Sequence, residues 1–411
     1  MERRVVVTGL GAITPIGKDV NSFWNAIKNG ENGIDKITLF DTTDFKVKMA
    51  GEVKDFNPEE HINKKEAKRM DRYTQFAIIS ADECIKDSKI NLEQINKERM
   101  GVIYSSGIGG LSTIEKQIRT LAERGASRIA PLSIPMAISN IAAGSIAIKY
   151  GLLGTCLSIT TACASSTHAI GEAYRNIKAG YSDYILAGGG EASICPFGIG
   201  AFQALTALSK SEDRNRASIP FDKERNGFVM GEGSGILLLE DLESAQKRGA
   251  KIYAEIVGYG TTCDAYHITS PCLDGDGAYR AMKDAIKEAG ISTNEVTYIN
   301  AHGTSTEIND KVESLAIKKV LGDEYLKTYV SSTKSMTGHL LGGAGAVEAI
   351  ISIKALEENF IPATINYINK DEECDLNLVV NEGIEVEAEY TMSNSLGFGG
   401  HNGTILFKKW R

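Results

Sequence analysis

Three residues of this chain could do covalent chemistry together: Cys163, His302 and His339. Cys163 stands in the run Ser158-Ile159-Thr160-Thr161-Ala162-Cys163-Ala164-Ser165-Ser166-Thr167-His168; residues 156–160 read as a buried β-strand, and good helix formers continue as far as Lys178. The cysteine therefore falls where a strand turns into a helix. Unpaired amides and the macrodipole at a helix N-terminus favour negative charge, so a thiol there is expected to ionise more readily than a free one. That would make a nucleophile, although free cysteine is also one of the most buried residue types of ordinary cores.

The histidines occupy turns of the same kind. His302 lies in Asn300-Ala301-His302-Gly303-Thr304-Ser305-Thr306-Glu307, between a strand at 296–300 and a helix with apolar residues at Ile308, Val312, Leu315 and Ala316. His339 lies in Gly338-His339-Leu340-Leu341-Gly342-Gly343-Ala344-Gly345, between a strand at 329–331 and an apolar-periodic helix at 346–356. A lone histidine is more often a hydrogen-bonded structural residue than a catalyst. Two histidines and a cysteine, each at a strand outlet, shift that balance, because open α/β sheets gather their sites at such outlets.

Positioning such turns requires a large α/β framework, and the chain reads as one. Short β-branched runs alternate with amphipathic helical stretches, with strands expected at 4–8, 101–105, 156–160, 184–187, 236–240, 254–260, 296–300, 329–331 and 404–408. The polar stretch 241–251 is a candidate seam, dividing the chain into 1–250 with the cysteine and 251–411 with the histidines. A faint internal echo crosses it: Val5-Val6-Val7-Thr8-Gly9-Leu10-Gly11 resembles Ala254-Glu255-Ile256-Val257-Gly258-Tyr259-Gly260, and the turn at Cys163 resembles the turn at His339.

Composition narrows the classes. The 411 residues can bury a large core, and 45 Lys and Arg against 53 Asp and Glu give a net charge of −8, which argues against bulk binding to nucleic acid or anionic membranes. Seven scattered cysteines without a Cys-x-x-Cys pair, no apparent signal peptide and no membrane-length apolar run suggest a cytoplasmic protein with reduced thiols.

Taken together, Thr161-Ala162-Cys163, Asn300 to Thr306, Lys334-Ser335-Met336-Thr337-Gly338-His339 and Asn394-Ser395-Leu396-Gly397-Phe398-Gly399-Gly400-His401-Asn402 resemble the decarboxylating β-ketoacyl synthases of the thiolase superfamily, over essentially the whole chain and in order. The resemblance implies a five-layered α/β/α/β/α sandwich of two pseudo-symmetric halves, a homodimer, and a Cys-His-His site. Cys163 would hold the acyl chain as a thioester, and His302 and His339 would stabilise the enolate formed as a malonyl thioester loses carbon dioxide. The resemblance also implies backbone amides of Cys163 and Phe398 as oxyanion donors, Phe398 as a gate, and Lys334 and Glu348 in the buried site. By default Lys334 would be a surface lysine and Glu348 a solvated helical residue.

Finer assignments follow from the same resemblance. Two histidines point to an elongating enzyme, since thiolases carry a second cysteine and initiating synthases usually carry Asn where His339 stands. Phe221 to Gly233 and Asp264 to Pro271, with His267, look like the type II branch, in which Ile108 is the acyl-pocket residue. Thr304 and Thr306 could cap the following helix or contact a phosphopantetheine arm, and Gly399 belongs with them among substrate contacts. The partner would be an acidic acyl carrier protein, met by Lys64, Lys65, Lys68 and Arg69 and extended by Arg124 and Arg128. The resemblance calls for no separate cofactor or catalytic metal, since the carrier brings the phosphopantetheine; a structural monovalent cation is compatible with it. A cysteine hydrolase would leave His339 unexplained, a non-catalytic polyketide partner subunit would lack the cysteine, and a nicotinamide-binding protein would need a Gly-x-Gly-x-x-Gly spacing that is missing. The nearest rival is a stand-alone polyketide ketosynthase; the discrete length, with no attached acyltransferase or carrier segment, favours fatty-acid elongation.

Overall fold

The computed structural model describes residues 3–411. Ten strands carry the fold: β1 (Val5–Ile13), β2 (Met100–Ser105), β3 (Cys156–Leu157), β4 (Tyr184–Glu191), β5 (Gly233–Asp241), β6 (Ala254–Cys263), β7 (Val296–Asn300), β8 (Tyr329–Ser331), β9 (Tyr390–Gly397) and β10 (His401–Lys409). Hydrogen bonding orders them β8-β7-β9-β10-β6-β1-β5-β4-β2-β3. The row narrows at β1–β6, where only Val5, Val6 and Val7 pair, with Ile256, Glu255 and Ala254. On one side β1 runs antiparallel to β5 and β5 to β4, while β4 is parallel to β2 and β2 to β3. On the other side β6, β10, β9, β7 and β8 repeat that pattern in the same order. The faint echo thus falls on equivalent strands, β1 with β6, and on equivalent turns, those leaving β3 and β8.

Six helices complete the layers: α1 (Arg72–Ser88), α2 (Leu111–Arg124), α3 (Ser165–Lys178), α4 (Asp276–Ala289), α5 (Glu307–Leu321) and α6 (Ala344–Glu358). Strand residues alternate between faces, as a period of two requires. Leu237 and Leu239 share a core with Ala169 and Ile170 of α3 and Ile350 and Ile353 of α6, whereas Ile236 and Leu238 pack outward with Phe76 and Ala77 of α1. Met282 and Ile286 of α4 and Ile317 of α5 cover the outer face of the second sheet, against Val296, Ile299 and Leu406. The result is the five-layered α/β/α/β/α arrangement. α6 is buried at every position from Ala344 to Leu356, and a helix enclosed between two sheets must be apolar nearly all round.

Three local expectations are corrected. Residues 156–160 do not form a buried strand: β3 is two exposed residues at the end of the sheet, because an edge strand has a neighbour on one side only. Thr306 precedes α5 without a side-chain capping bond; its hydroxyl meets that of Thr304 at 2.8 Å instead. Ile308 and Leu315 stand exposed on α5 while Val312, Ala316 and Ile317 face inward, so its apolar stripe is narrower than the sequence pattern suggests.

Candidate active site

The outlets of β3, β7 and β8 bring Cys163, His302 and His339 together, with a thiol sulfur and one nitrogen of each ring all within 4.8 Å of one another. Cys163 is the middle residue of a tight turn, Ala162–Ala164, that opens α3. Ala162 holds a left-handed φ of 51°, a conformation that costs a non-glycine residue free energy and recurs at functional turns. Burial pushes the Cys163 thiol up to about 12, with Lys334 pulling it down and Glu191 and Glu348 pushing it further up. The expected ease of ionisation is therefore reversed: desolvation outweighs the helix terminus, and the resting group is a neutral thiol with imidazoles near enough to take its proton.

Both imidazoles are held neutral. Burial first, then Lys334, and for His302 also His339, lower their pKa values well below the ordinary histidine value. The rings stand edge to face with centroids 5.1 Å apart, and the Phe228 ring packs on His339 in the same manner at 5.3 Å. The Nδ1 atom of each ring is buried without a hydrogen-bond partner among the described residues. Glu313 fixes the His302 turn by accepting the backbone N–H groups of His302 and Gly303, both at 2.8 Å. Burial raises its carboxyl to about 7, with the two amides opposing that shift.

Lys334 and Glu348 form a buried ion pair behind the histidines. Burial raises Glu348 to about 7, and Lys334 pulls it back. Lys334→Met removes a positive charge that disfavours imidazolium at both histidines and leaves Glu348 free to take a proton, so no new charge replaces it. The histidine pKa values then rise, and the acid limb of the rate profile is expected to move to higher pH; a limb that stays put would show that burial alone sets it. Loss of the buried partner is also expected to lower stability, read by denaturant titration, since Glu348 must be protonated to stay buried without Lys334.

The loop after β9 closes over the thiol. A Cβ on Gly397 would meet the Thr161 carbonyl oxygen at 2.6 Å and the Cys163 amide nitrogen at 3.3 Å, so only glycine lets the Gly397–Phe398 peptide lie beside the Cys163 amide. Phe398 stacks at a tilt on Phe202, 6.4 Å between centroids. The loop is tied to its neighbour by Gly399 N–H to Ile268 O at 2.8 Å and Asp264 N–H to Gly400 O at 2.9 Å.

A cavity of about 560 Å³ opens onto Cys163, His302 and His339 and is walled by Phe202, Phe228, Thr304, Thr306 and Phe398. Three of the five substrate-contact candidates lie off its wall. His267 is exposed and organises its own loop, its Nδ1 accepting from the Thr269 and Ser270 amides at 3.2 Å. Gly399 faces solvent. Ile108 packs in the apolar cluster that contains the Cys163 side chain, with Ile199, Leu341 and Phe202. Lys64, Lys65, Lys68, Arg69, Arg124 and Arg128 are all exposed, the first two on a short helix (Lys64–Ala67), with Lys64 paired to Glu59. The sequence reading missed Glu313 and Glu191. A carboxylate on the inward face of α5, beside Val312 and Ala316, was the available signal for the first; a Gly-Gly-Gly-Glu strand end was the signal for the second.

Comparison with known proteins agrees with this architecture. Family models described as "Beta-ketoacyl synthase, N-terminal domain" and "Beta-ketoacyl synthase, C-terminal domain" match residues 2–245 and 253–368. The chain is 50% identical over 411 residues to a 3-oxoacyl-[acyl-carrier-protein] synthase 2 of Synechocystis, covering 100% of this chain and 99% of the relative. A protein of the same name from Staphylococcus aureus is 50% identical over 408 residues, with 99% of each chain covered. Among solved structures, the ishigamide ketosynthase/chain length factor superposes with a TM-score of 0.94 at 34% identity, and a type II polyketide ketosynthase, solved with its acyl-carrier protein, with 0.93 at 37%; each pair is covered over its full length. With both family models matched in order and the Cys163 and His339 turns on equivalent strands of a repeated sheet, this chain belongs to the β-ketoacyl synthase family of condensing acyltransferases.

Proposed function

We propose that this chain is a 3-oxoacyl-[acyl-carrier-protein] synthase of type II whose chemistry runs on Cys163, His302 and His339. The observation that carries the reading is the convergence of one thiol and two neutral imidazoles on a single cavity. In the first half-reaction the Cys163 sulfur attacks the thioester carbonyl of an acyl-carrier protein. A neighbouring imidazole takes the thiol proton and passes it to the departing phosphopantetheine thiolate. The amides of Cys163 and Phe398 stabilise the oxyanion. In the second, malonyl-carrier protein loses carbon dioxide, N–H groups of His302 and His339 stabilise the enolate oxygen, and the enolate carbon attacks the acyl thioester. Cys163 leaves as thiolate and is reprotonated; the product is a 3-oxoacyl chain two carbons longer.

Intact-mass spectrometry tests this directly. An acyl adduct on Cys163 should form with a medium-chain acyl-carrier protein and vanish on adding malonyl-carrier protein, releasing the extended product. Absence of an adduct with any acyl-carrier protein would overturn the reading. Fatty-acid elongation is favoured over a polyketide role by the 50% identity to curated synthase 2 proteins, against 37% to the type II polyketide ketosynthase structure.

The same reading takes in the partners. The exposed cationic run from Lys64 to Arg69, with Arg124 and Arg128, is the surface offered to an acidic carrier. A homodimer through the β3 edge is supported by the exposed apolar residues Leu132, Ile134, Ile138 and Leu157 there; sedimentation at twice the chain mass is the check. The boundary near residue 250 is supported by the strand repeat restarting at Ala254. Among the described residues no helix is long and apolar enough to cross a membrane, and all seven cysteines are free, in keeping with a cytoplasmic enzyme.

A structural monovalent cation belongs to this proposal as well. Asn300 Oδ1, Ser393 Oγ and Glu348 Oε2 are buried without hydrogen-bond partners among the described residues, and Asn300 and Ser393 are register partners across β7 and β9. Orphaned oxygens of this kind suit a hard cation. Exchanging potassium for choline is then expected to lower the melting temperature, by the equivalent of about 2.7 kcal/mol if the site was a hundredfold saturated. Identical melting in the two salts would remove the site.

A further inference from the structure

We propose that Glu191 is a positioning residue that governs acyl-chain selectivity, by clamping the turn that carries Ile108 against the turn that follows His339. The inference rests on the synthase reading above. Glu191 ends β4 and is completely buried, yet no salt bridge balances its charge among the described residues. Its carboxyl instead gathers donors from two directions. Ser106 Oγ donates at 2.7 Å, the Gly107 amide at 2.8 Å and the Ile108 amide at 3.4 Å; the Gly342 amide donates from the other turn at 3.2 Å, and Ser193 Oγ lies at 3.5 Å. The two turns touch across it: a Cβ on Gly342 would meet the Gly107 nitrogen at 2.1 Å, and one on Gly107 would meet the Ala162 carbonyl oxygen at 3.3 Å. Leu341, between His339 and Gly342, holds a left-handed φ of 48°, which a non-glycine residue keeps only where its surroundings hold it.

What the clamp closes is the apolar side of the site. Ile108 and Leu341 pack in one cluster with the Cys163 side chain, Ile199 and Phe202, while neither Ile108 nor Leu341 lines the open cavity. A short acyl group on Cys163 fits in the existing space. A long one must enter that cluster and part Ile108 from its neighbours, and the resistance it meets is set by the amides Glu191 holds. Glu191 therefore acts through Ile108 and touches no reacting atom.

Glu191→Gln puts an N–H₂ group among donors and keeps the volume, which should loosen the clamp. Rates of acyl-enzyme formation would be measured with hexanoyl- and tetradecanoyl-carrier protein, on the wild type and the variant. The expected result is a tetradecanoyl-to-hexanoyl ratio of kcat/KM raised about tenfold, the scale of one charge-assisted hydrogen bond. Ser106→Ala, which removes one donor to Glu191 together with the acceptor of the Gly109 amide in the same turn, should shift the ratio in the same direction, and serves if the first variant does not fold. In an Ile108→Ala background Glu191→Gln should leave the ratio unmoved. Equal loss of both rates, or an additive effect in that background, would reduce Glu191 to a merely structural residue and overturn the proposal. Failure of the wild type to acylate Cys163 would instead overturn the synthase reading, and this inference with it.

Discussion

Replacing Cys163 by alanine is expected to abolish acyl transfer and leave the fold intact. The side chain borders the cavity, so losing one sulfur atom leaves no sealed void and should change stability by no more than about 1 kcal/mol. Condensation should fall by about 10⁴-fold or more, because no other thiol lines the cavity and the covalent route is lost as a unit. The histidines remain, so the variant should still release carbon dioxide from malonyl-carrier protein. That combination, no adduct with decarboxylation retained, separates a missing nucleophile from a collapsed site. An unchanged elongation rate in Cys163→Ala would defeat the mechanism.

Removing either histidine should strike the other half-reaction. The imidazoles are neutral because burial and Lys334 disfavour their protonation, and a neutral ring can donate one N–H to an enolate oxygen without lending it a proton irreversibly. Losing one such donor from a preorganised, desolvated site costs about 10²–10³-fold in rate. His302→Ala and His339→Ala are each expected to slow malonyl decarboxylation by that factor, measured by carbon dioxide release, while an acyl adduct on Cys163 still accumulates on longer incubation. A double variant no slower than the singles would show that the two donors act as a unit. Full decarboxylation rates in both single variants would exclude the enolate role. The pair can serve this purpose because the Glu313 carboxyl and the Phe228 ring hold one turn and one ring in place.

Much of this was legible in the chain itself. The residue types and the glycines beside them marked the turns at Cys163, His302 and His339, and β-branched runs located nine of the ten sheet strands, because local patterning follows the backbone periods directly. β9 went unread, since Tyr390 to Gly397 is rich in Ser, Thr and Asn that are buried in the fold and so lacks an apolar run. β3 was read as buried because sequence cannot tell an edge from an interior. The repeat was audible only as an echo; the hydrogen-bond order made it plain.

The sequence by itself determined which side chains are available for chemistry, the α/β class and the strand-turn-helix units that present the site residues. Only tertiary structure decided their electrostatic state. The thiol that a helix terminus should ionise is held neutral by burial, the lysine and glutamate that residue type alone would leave on the surface pair in the core, and Glu191 binds turns from distant parts of the chain. Propensity and periodicity are local and survive in one dimension. Desolvation and charge pairing depend on what lies across space, and packing brings Lys334 to Glu348 and Gly107 to Gly342.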